Sequence, residues 1–359
     1  MKKKKLQIFS KEKNLAVLRV IGKILAWALG VVVAVVVALF IYVNLPVSSA
    51  SGADAKLGVT FSSRYASDIG LDWKQAYVSM LDDLKVRNIR VPVYWDLAEP
   101  AEGQYDFSDI DWQLEQARQR DAKIILVVGR KVPRWPECFI PKWAGDNTDV
   151  QQQKLLDFED VVIRRYKDGH PEIANWQVEN EPFLDFGICP TVDNAKLLDA
   201  EIAKVKSIDA SKPIIVTDSG ELSLWLNAAN RADVFGTTMY REVYSSRQFF
   251  GKPLGHWNYP IGPNFFKLKQ LFIRLFAHQN NAIVIELQGE PWVQGWTTSA
   301  PIDTQLASMN AAKLADNVQF AKETGMKEIF LWGVEWWYWM KVQQNNPTLW
   351  EQAKTLFQQ

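Results

Sequence analysis

The run IANWQVENE, residues 173–181, decides how this chain is read. It begins as an apolar, β-compatible segment and ends in Glu179, Asn180 and Glu181. Burial makes a charge most expensive at the end of such a strand, so carboxylates there need a chemical reason. Seven further runs share its character: LGVTFS (57–62), IRVPVYW (89–95), KIILVVG (123–129), PIIVTDS (213–219), DVFGTTMY (233–240), AIVIELQ (282–288) and EIFLWGVE (328–335). Between them lie amphipathic stretches such as DWKQAYVSMLDDLKVRN and VQQQKLLDFEDVVIRRYKDG, with apolar residues recurring at three and four. Eight strand–helix alternations predict an α/β chain folded as a (β/α)8 TIM barrel, which typically takes ~250 residues plus loop insertions. A doubly wound open sheet is the competing architecture. It usually has fewer strands and a nucleotide fingerprint, and neither G-x-G-x-x-G nor a Walker A motif follows any strand here.

Upstream of the first strand the composition changes. Lys2 to Lys5, Lys11, Lys13, Arg19 and Lys23 crowd the amino end, opposed only by Glu12. ILAWALGVVVAVVVALFIYVNL (24–45) follows without a charge and is close to the ~20 residues that cross a bilayer. The expected organisation is a basic cytoplasmic segment (1–23), a transmembrane helix (24–45), a small polar tether (46–55) and a barrel domain (56–359). Basic residues stay inside, so the barrel is expected outside the cytoplasm, on a cell membrane that the chain crosses once. A cleaved signal peptide is the competing reading, because SSA precedes Ser51, but the apolar run exceeds the usual ~7–15 residues.

Lys plus Arg and Asp plus Glu both number 41, which removes any global electrostatic case for nucleic acid. Two cysteines and three scattered histidines give no metal-ligand spacing, so no metal and no cofactor is expected.

In a barrel of this kind the chemistry gathers at the carboxyl ends of the strands. Those ends supply Arg90, Trp95, Arg130, Asn180, Glu181, Asp218, Tyr240, Glu286 and Trp332. Two glutamates with an arginine, an amide and aromatics are what cleavage of a glycosidic bond requires. Glu179 is the rival of Glu181, since residues two apart share a face of an ideal strand. Glu290, in QGEPW, is the rival of Glu286.

ENEP at the end of strand four, with a second glutamate ending strand seven, resembles clan A of the glycoside hydrolases, the retaining (β/α)8 enzymes. YWDLAEPAEGQYDFSDID after strand two and the aromatic FLWGVEWWYW are similar to the cellulase-like and β-galactosidase-like members. The resemblance implies a retaining hydrolase of a β-linked oligo- or polysaccharide, with Glu181 as acid/base and Glu286 as nucleophile. It implies further that Asn180 contacts the sugar 2-hydroxyl, that Arg90 and Tyr240 attend Glu286, and that Trp332 floors the reacting sugar. Many members carry a histidine two residues before the strand-six tyrosine, where this chain has Thr238. A transglycosylase, or a glycan-binding protein that has lost turnover, would sit on the same scaffold.

Sixteen tryptophans suit a saccharide cleft, and many fall at strand ends or just beyond: Trp95, Trp135, Trp143, Trp292, Trp296, Trp332, Trp336, Trp337 and Trp339. In GRKVPRWPECFIPKW (129–143), Arg130, Arg134 and Glu137 are candidates to contact substrate hydroxyls or an acidic sugar. Cys138 in that loop and Cys189 after strand four are candidates for a disulfide, because loops after adjacent strands lie side by side. Segment 241–266 is read as a long aromatic loop walling the cleft.

Overall fold

The computed structural model describes residues 2–48, 52, 54–249 and 252–358. Eight parallel strands close a barrel: β1 (Lys56–Thr60), β2 (Asn88–Pro92), β3 (Lys123–Val128), β4 (Ile173–Val178), β5 (Ile214–Asp218), β6 (Val234–Met239), β7 (Ala282–Gln288) and β8 (Glu328–Trp332). Each strand pairs with its neighbour in sequence, and β8 returns to β1. The fold is therefore the TIM barrel that the alternation predicted.

Strands covered on both faces must be apolar almost throughout, and β5 and β7 are buried along nearly their whole length. Ile125, Ile215, Ile283, Ile285 and Phe330, from β3, β5, β7 and β8, pack as one cluster. The outer helices start where side chains cap them: Asp72 accepts from the backbone N–H of Lys74 and Gln75, Asn147 from Asp149 and Val150, and Asn310 from Lys313. The predicted extensions past two strands are helical instead. Trp95 opens the short helix Trp95–Ala98, and Val334–Gln343 takes up the aromatic run after β8.

Segment 241–266 holds two antiparallel paired strands, Glu242–Phe249 and Lys252–Asn258, between which residues 250 and 251 lie outside the described residues. A loop was the expectation. Pro253 and Gly255 in the return strand, and a register shift between Ser245 and Gln248, conceal the alternation that announces a strand.

The chain up to Pro46, with Pro260–Phe265, forms a separate compact unit. Its helix, Lys2–Val43, includes a stretch, Arg19–Val43, that is long and apolar enough to cross a membrane. Valines, leucines and isoleucines are exposed around it, with Trp27 at 77 %. The helix stops two residues short of the expected 45. Asn264 Nδ2 satisfies the terminal carbonyls of Tyr42 (3.2 Å) and Leu45 (3.1 Å). Of the expected tether 46–55, residues 49–51 and 53 lie outside the described residues.

Three carboxylates meet behind β4: Glu159 on helix Thr148–Tyr166, Glu201 on helix Asn194–Ile208, and Glu179 just past the strand. Glu159 and Glu201 are fully buried, and among the described residues no donor reaches any of their four oxygens. Glu201 lies within hydrogen-bonding reach of both Glu179 and Glu159, so a proton held by Glu159 or Glu201 can be shared within the group. Burial, then the charge of Glu179, pushes Glu159 up to about 8, with Lys204 opposing from the neighbouring helix. Between the unfolded carboxyl value of ~4.3 and about 8, the native state holds a proton that the unfolded chain releases, so stability falls as pH rises through that window. Glu159→Gln keeps the shape and removes this loss. We predict that it raises Tm by several degrees at pH 8 and by clearly less at pH 5, followed by circular dichroism; equal shifts at the two pH values would contradict the shared proton.

Candidate active site

Arg90, in β2, is fully buried, and its guanidinium organises the carboxyl ends of the strands. Nη1 donates to Glu286 Oε1 on β7 (2.6 Å), Nη2 to Asn180 Oδ1 past β4 (2.6 Å), and Nε to Gln177 Oε1 in β4 (2.8 Å). Gln177 passes the order on, donating to the carbonyl of Glu179 at 2.8 Å. The second oxygen of Glu286 accepts from the Tyr240 hydroxyl at 3.1 Å. Burial, then the charge of Glu286, raises the Tyr240 pKa, which keeps its phenol a donor.

Glu181 is built differently. Its Oε1 accepts from Thr238 Oγ1 at 3.0 Å, and among the described residues no cation touches its carboxylate. The backbone is held instead: its N–H donates to Thr217 Oγ1 (2.8 Å), and its carbonyl accepts from Lys131 Nζ (3.0 Å). Burial, then the charges of Glu286 and Glu137, raises its pKa well above the ordinary carboxyl range. A carboxyl whose pKa is raised keeps its proton to higher pH and is suited to give it to a leaving oxygen.

Backbone conformation sets Glu179 apart from Glu181. Glu179 and Glu181 both have positive φ, 59° and 44°, so the strand rule that set them on one face no longer applies past Val178. The carboxylate of Glu179 accepts the backbone N–H groups of Arg130 (2.9 Å) and Lys131 (3.1 Å). This contact requires Gly129, where a Cβ would come within 2.9 Å of Glu179 Oε1. Glu290 pairs with Arg134 at 2.6 Å and accepts the Trp332 indole N–H at 2.8 Å.

Of the remaining expected residues, Glu137 joins the group, with Oε2 accepting from Asn180 Nδ2 at 3.0 Å. Trp332 is at the rim, 8 % exposed, with the Arg134 guanidinium 4.1 Å above its ring. Trp95 and Arg130 are corrections. Trp95 is fully buried, stacks on Phe158 and donates to Glu99, because the chain turns into a helix there and carries the indole into the core. Arg130 spends its guanidinium on the Pro190 carbonyl and Asn194 (2.9 Å each), tying one loop to the next helix. Trp336 and Trp337 are likewise core, bonded to Gln305 and the Gly289 carbonyl. Trp135 (54 %), Phe186 (42 %) and Trp296 (37 %) stay accessible. Trp135 packs on Phe186, Phe186 on Trp292, and Trp292 edge-on against Tyr240.

Cys138 and Cys189 are disulfide-bonded, joining the loops after β3 and β4. Sequence reasoning missed Gln177, Thr217 and Lys131. Gln177 had a signal, a polar residue inside an apolar strand, whereas Lys131 lies in a loop whose course no periodicity reveals.

No protein-family model matches the chain. A β-galactosidase of Arthrobacter sp is 28 % identical over 124 residues, covering 29 % of this chain and 18 % of that protein. Among solved structures, the β-galactosidase of the psychrophilic Marinomonas ef1 superimposes with a TM-score of 0.55 at 11 % identity, covering 84 % of this chain and 59 % of that one. The β-galactosidase of the Antarctic haloarchaeon Halorubrum lacusprofundi gives 0.52 at 15 % identity, covering 77 % and 52 %. The chain thus spans about half the length of these solved relatives, and what it shares with them is the barrel fold.

Thr238 stabilises the ionised form of Glu181 through its hydroxyl, so its loss raises the Glu181 pKa further. We predict that Thr238→Val moves the alkaline limb of the pH–kcat/KM profile to higher pH; a limb that stays in place or moves down would detach that limb from Glu181.

Proposed function

We propose that this chain is a membrane-anchored, extracytoplasmic retaining glycoside hydrolase that cleaves β-linked glycans. One observation carries the reading: two glutamates share the strand ends in opposite electrostatic settings. Glu286 is ion-paired and hydrogen-bonded, while Glu181 is buried with, among the described residues, no cation on its carboxylate. Environments that separate two carboxyl groups in this way assign one as nucleophile and the other as acid. The shared barrel of the β-galactosidases supports the same reading.

In this mechanism a Glu286 oxygen attacks the anomeric carbon as Glu181 delivers its proton to the departing glycosidic oxygen. The bond to the aglycone breaks and an ester to Glu286 forms. Glu181, now a carboxylate, takes a proton from water, whose oxygen attacks the same carbon and frees Glu286. A sugar hydroxyl in place of that water makes the product a transglycosylated glycan. Asn180 binds the sugar at position 2, and Trp332 with the Trp292–Phe186–Trp135 row receives apolar pyranose faces.

Two features favour the location. Helix Arg19–Val43 exposes apolar side chains on every side, which a bilayer would cover, and the basic residues lie on its amino side. The Cys138–Cys189 bond suits an oxidising compartment.

The full chain in detergent, assayed on aryl β-glucosides, galactosides, mannosides and xylosides, tests the activity. We predict turnover of at least one substrate, a loss of about 10²–10⁴-fold in Glu181→Ala, and near-complete loss in Glu286→Ala. Azide should restore the latter and yield an α-glycosyl azide. Full activity in either variant, or a β-glycosyl azide, would contradict the assignment.

A further inference from the structure

The site holds one carboxylate more than a retaining mechanism uses. Glu137 is 6 % exposed and close enough to Glu286 for that charge to act on it, and it acts in turn on Glu181. Its place is fixed from two directions. The following residue, Cys138, is bonded to Cys189, and Gly187 packs so tightly on the Glu137 side chain that a Cβ there would come within 2.6 Å. One oxygen, Oε2, accepts the Asn180 amide; among the described residues none bonds Oε1.

The cations nearby are already committed. Arg90 has all three nitrogens bonded and is fully buried. Arg134, 5 % exposed, lies between the Tyr65 and Trp332 rings and is paired with Glu290 and Glu335. Lys131 Nζ donates to the carbonyls of Glu181 and Leu184. An acidic sugar would thus meet three carboxylates and no uncommitted cation among these residues. A basic one would meet its counter-ion.

We infer that the sugar accepted beside Glu286 is a 2-amino-2-deoxy sugar with a free amine, and that Glu137 is the residue that selects it. The inference rests on the proposed glycosidase reading, in which Asn180 faces the substituent at position 2, because Glu137 is bonded to that amide. Burial, then the charge of Glu286, pushes the Glu137 carboxyl up to about 8. A Glu137 carboxylate facing a substrate ammonium forms a charge-assisted pair, and the ammonium charge in turn favours the ionised carboxylate. A 2-hydroxyl offers only a neutral bond in its place, and an N-acetyl group has no charge to match.

The test is kcat/KM of the full chain on the 4-nitrophenyl β-glycosides of glucosamine and galactosamine, against those of glucose, galactose and their 2-acetamido forms. Wild type should prefer an amine substrate, and Glu137→Gln should lower the amine-to-hydroxyl ratio roughly tenfold or more, since a polar site discriminates through the group it was built to pair. Preference for a hydroxyl or acetamido substrate in wild type overturns the inference while leaving the glycosidase reading intact. An equal loss on all substrates in Glu137→Gln also overturns it, since that marks a residue that only positions Asn180. If Glu137→Gln does not fold, the wild-type preference decides alone. No turnover of any glycoside overturns the glycosidase reading and takes this inference with it.

Discussion

A single buried guanidinium holds the strand ends together. Arg90 has no solvent, and its bonds to Glu286, Asn180 and Gln177 join β2 to β7 and β4 across the barrel. A charge in that position is tolerated because all three nitrogens are bonded, and removing one partner of such a pair typically costs about 3–5 kcal/mol. The same bonds that make the charge tolerable orient Glu286 and Asn180. Stability and geometry here are one arrangement, and the barrel's closure is what brings the three strands within reach.

Acid chemistry is divided by β4 into two groups. On the site side, Glu181 and Glu137 sit near Glu286; behind the strand, Glu179 meets Glu159 and Glu201. Left-handed backbone at Glu179 and Glu181 makes the division possible, because it releases the two side chains from the strand's fixed alternation. The rear group is not idle with respect to the front. Glu179 grips the N–H of Lys131, whose ammonium in turn holds the Glu181 carbonyl. A chain of direct contacts thus runs from the outer helices to the residue proposed as acid.

The fold was legible because parallel strands covered on both faces must be nearly continuous apolar runs, and eight of them stood out from helical periodicity. Arg90, Tyr240, Glu181 and Glu286 were legible for a related reason: strand ends in a closed barrel converge, so position along the strand predicts neighbourhood. That rule lapses where the backbone leaves the strand. Trp95 is one residue into a helix and turns to the core, and Arg130 is bound to a loop that no pattern foretells. The strand pair in segment 241–266 was hidden by Pro253, Gly255 and its register shift, and Glu137's approach to Asn180 depends on a loop course pinned by a disulfide.

The central claim is that Glu286 becomes covalently bonded to the sugar. Incubating the full chain with 2-deoxy-2-fluoro-β-glycosyl fluorides of the gluco, galacto and manno series, then mapping peptides by mass spectrometry, tests it most directly. The account predicts a single glycosyl adduct on Glu286, absent when Glu286 is replaced by alanine. An adduct on Glu290 or Glu179, or turnover of activated substrates to the inverted anomer with no adduct, would contradict it.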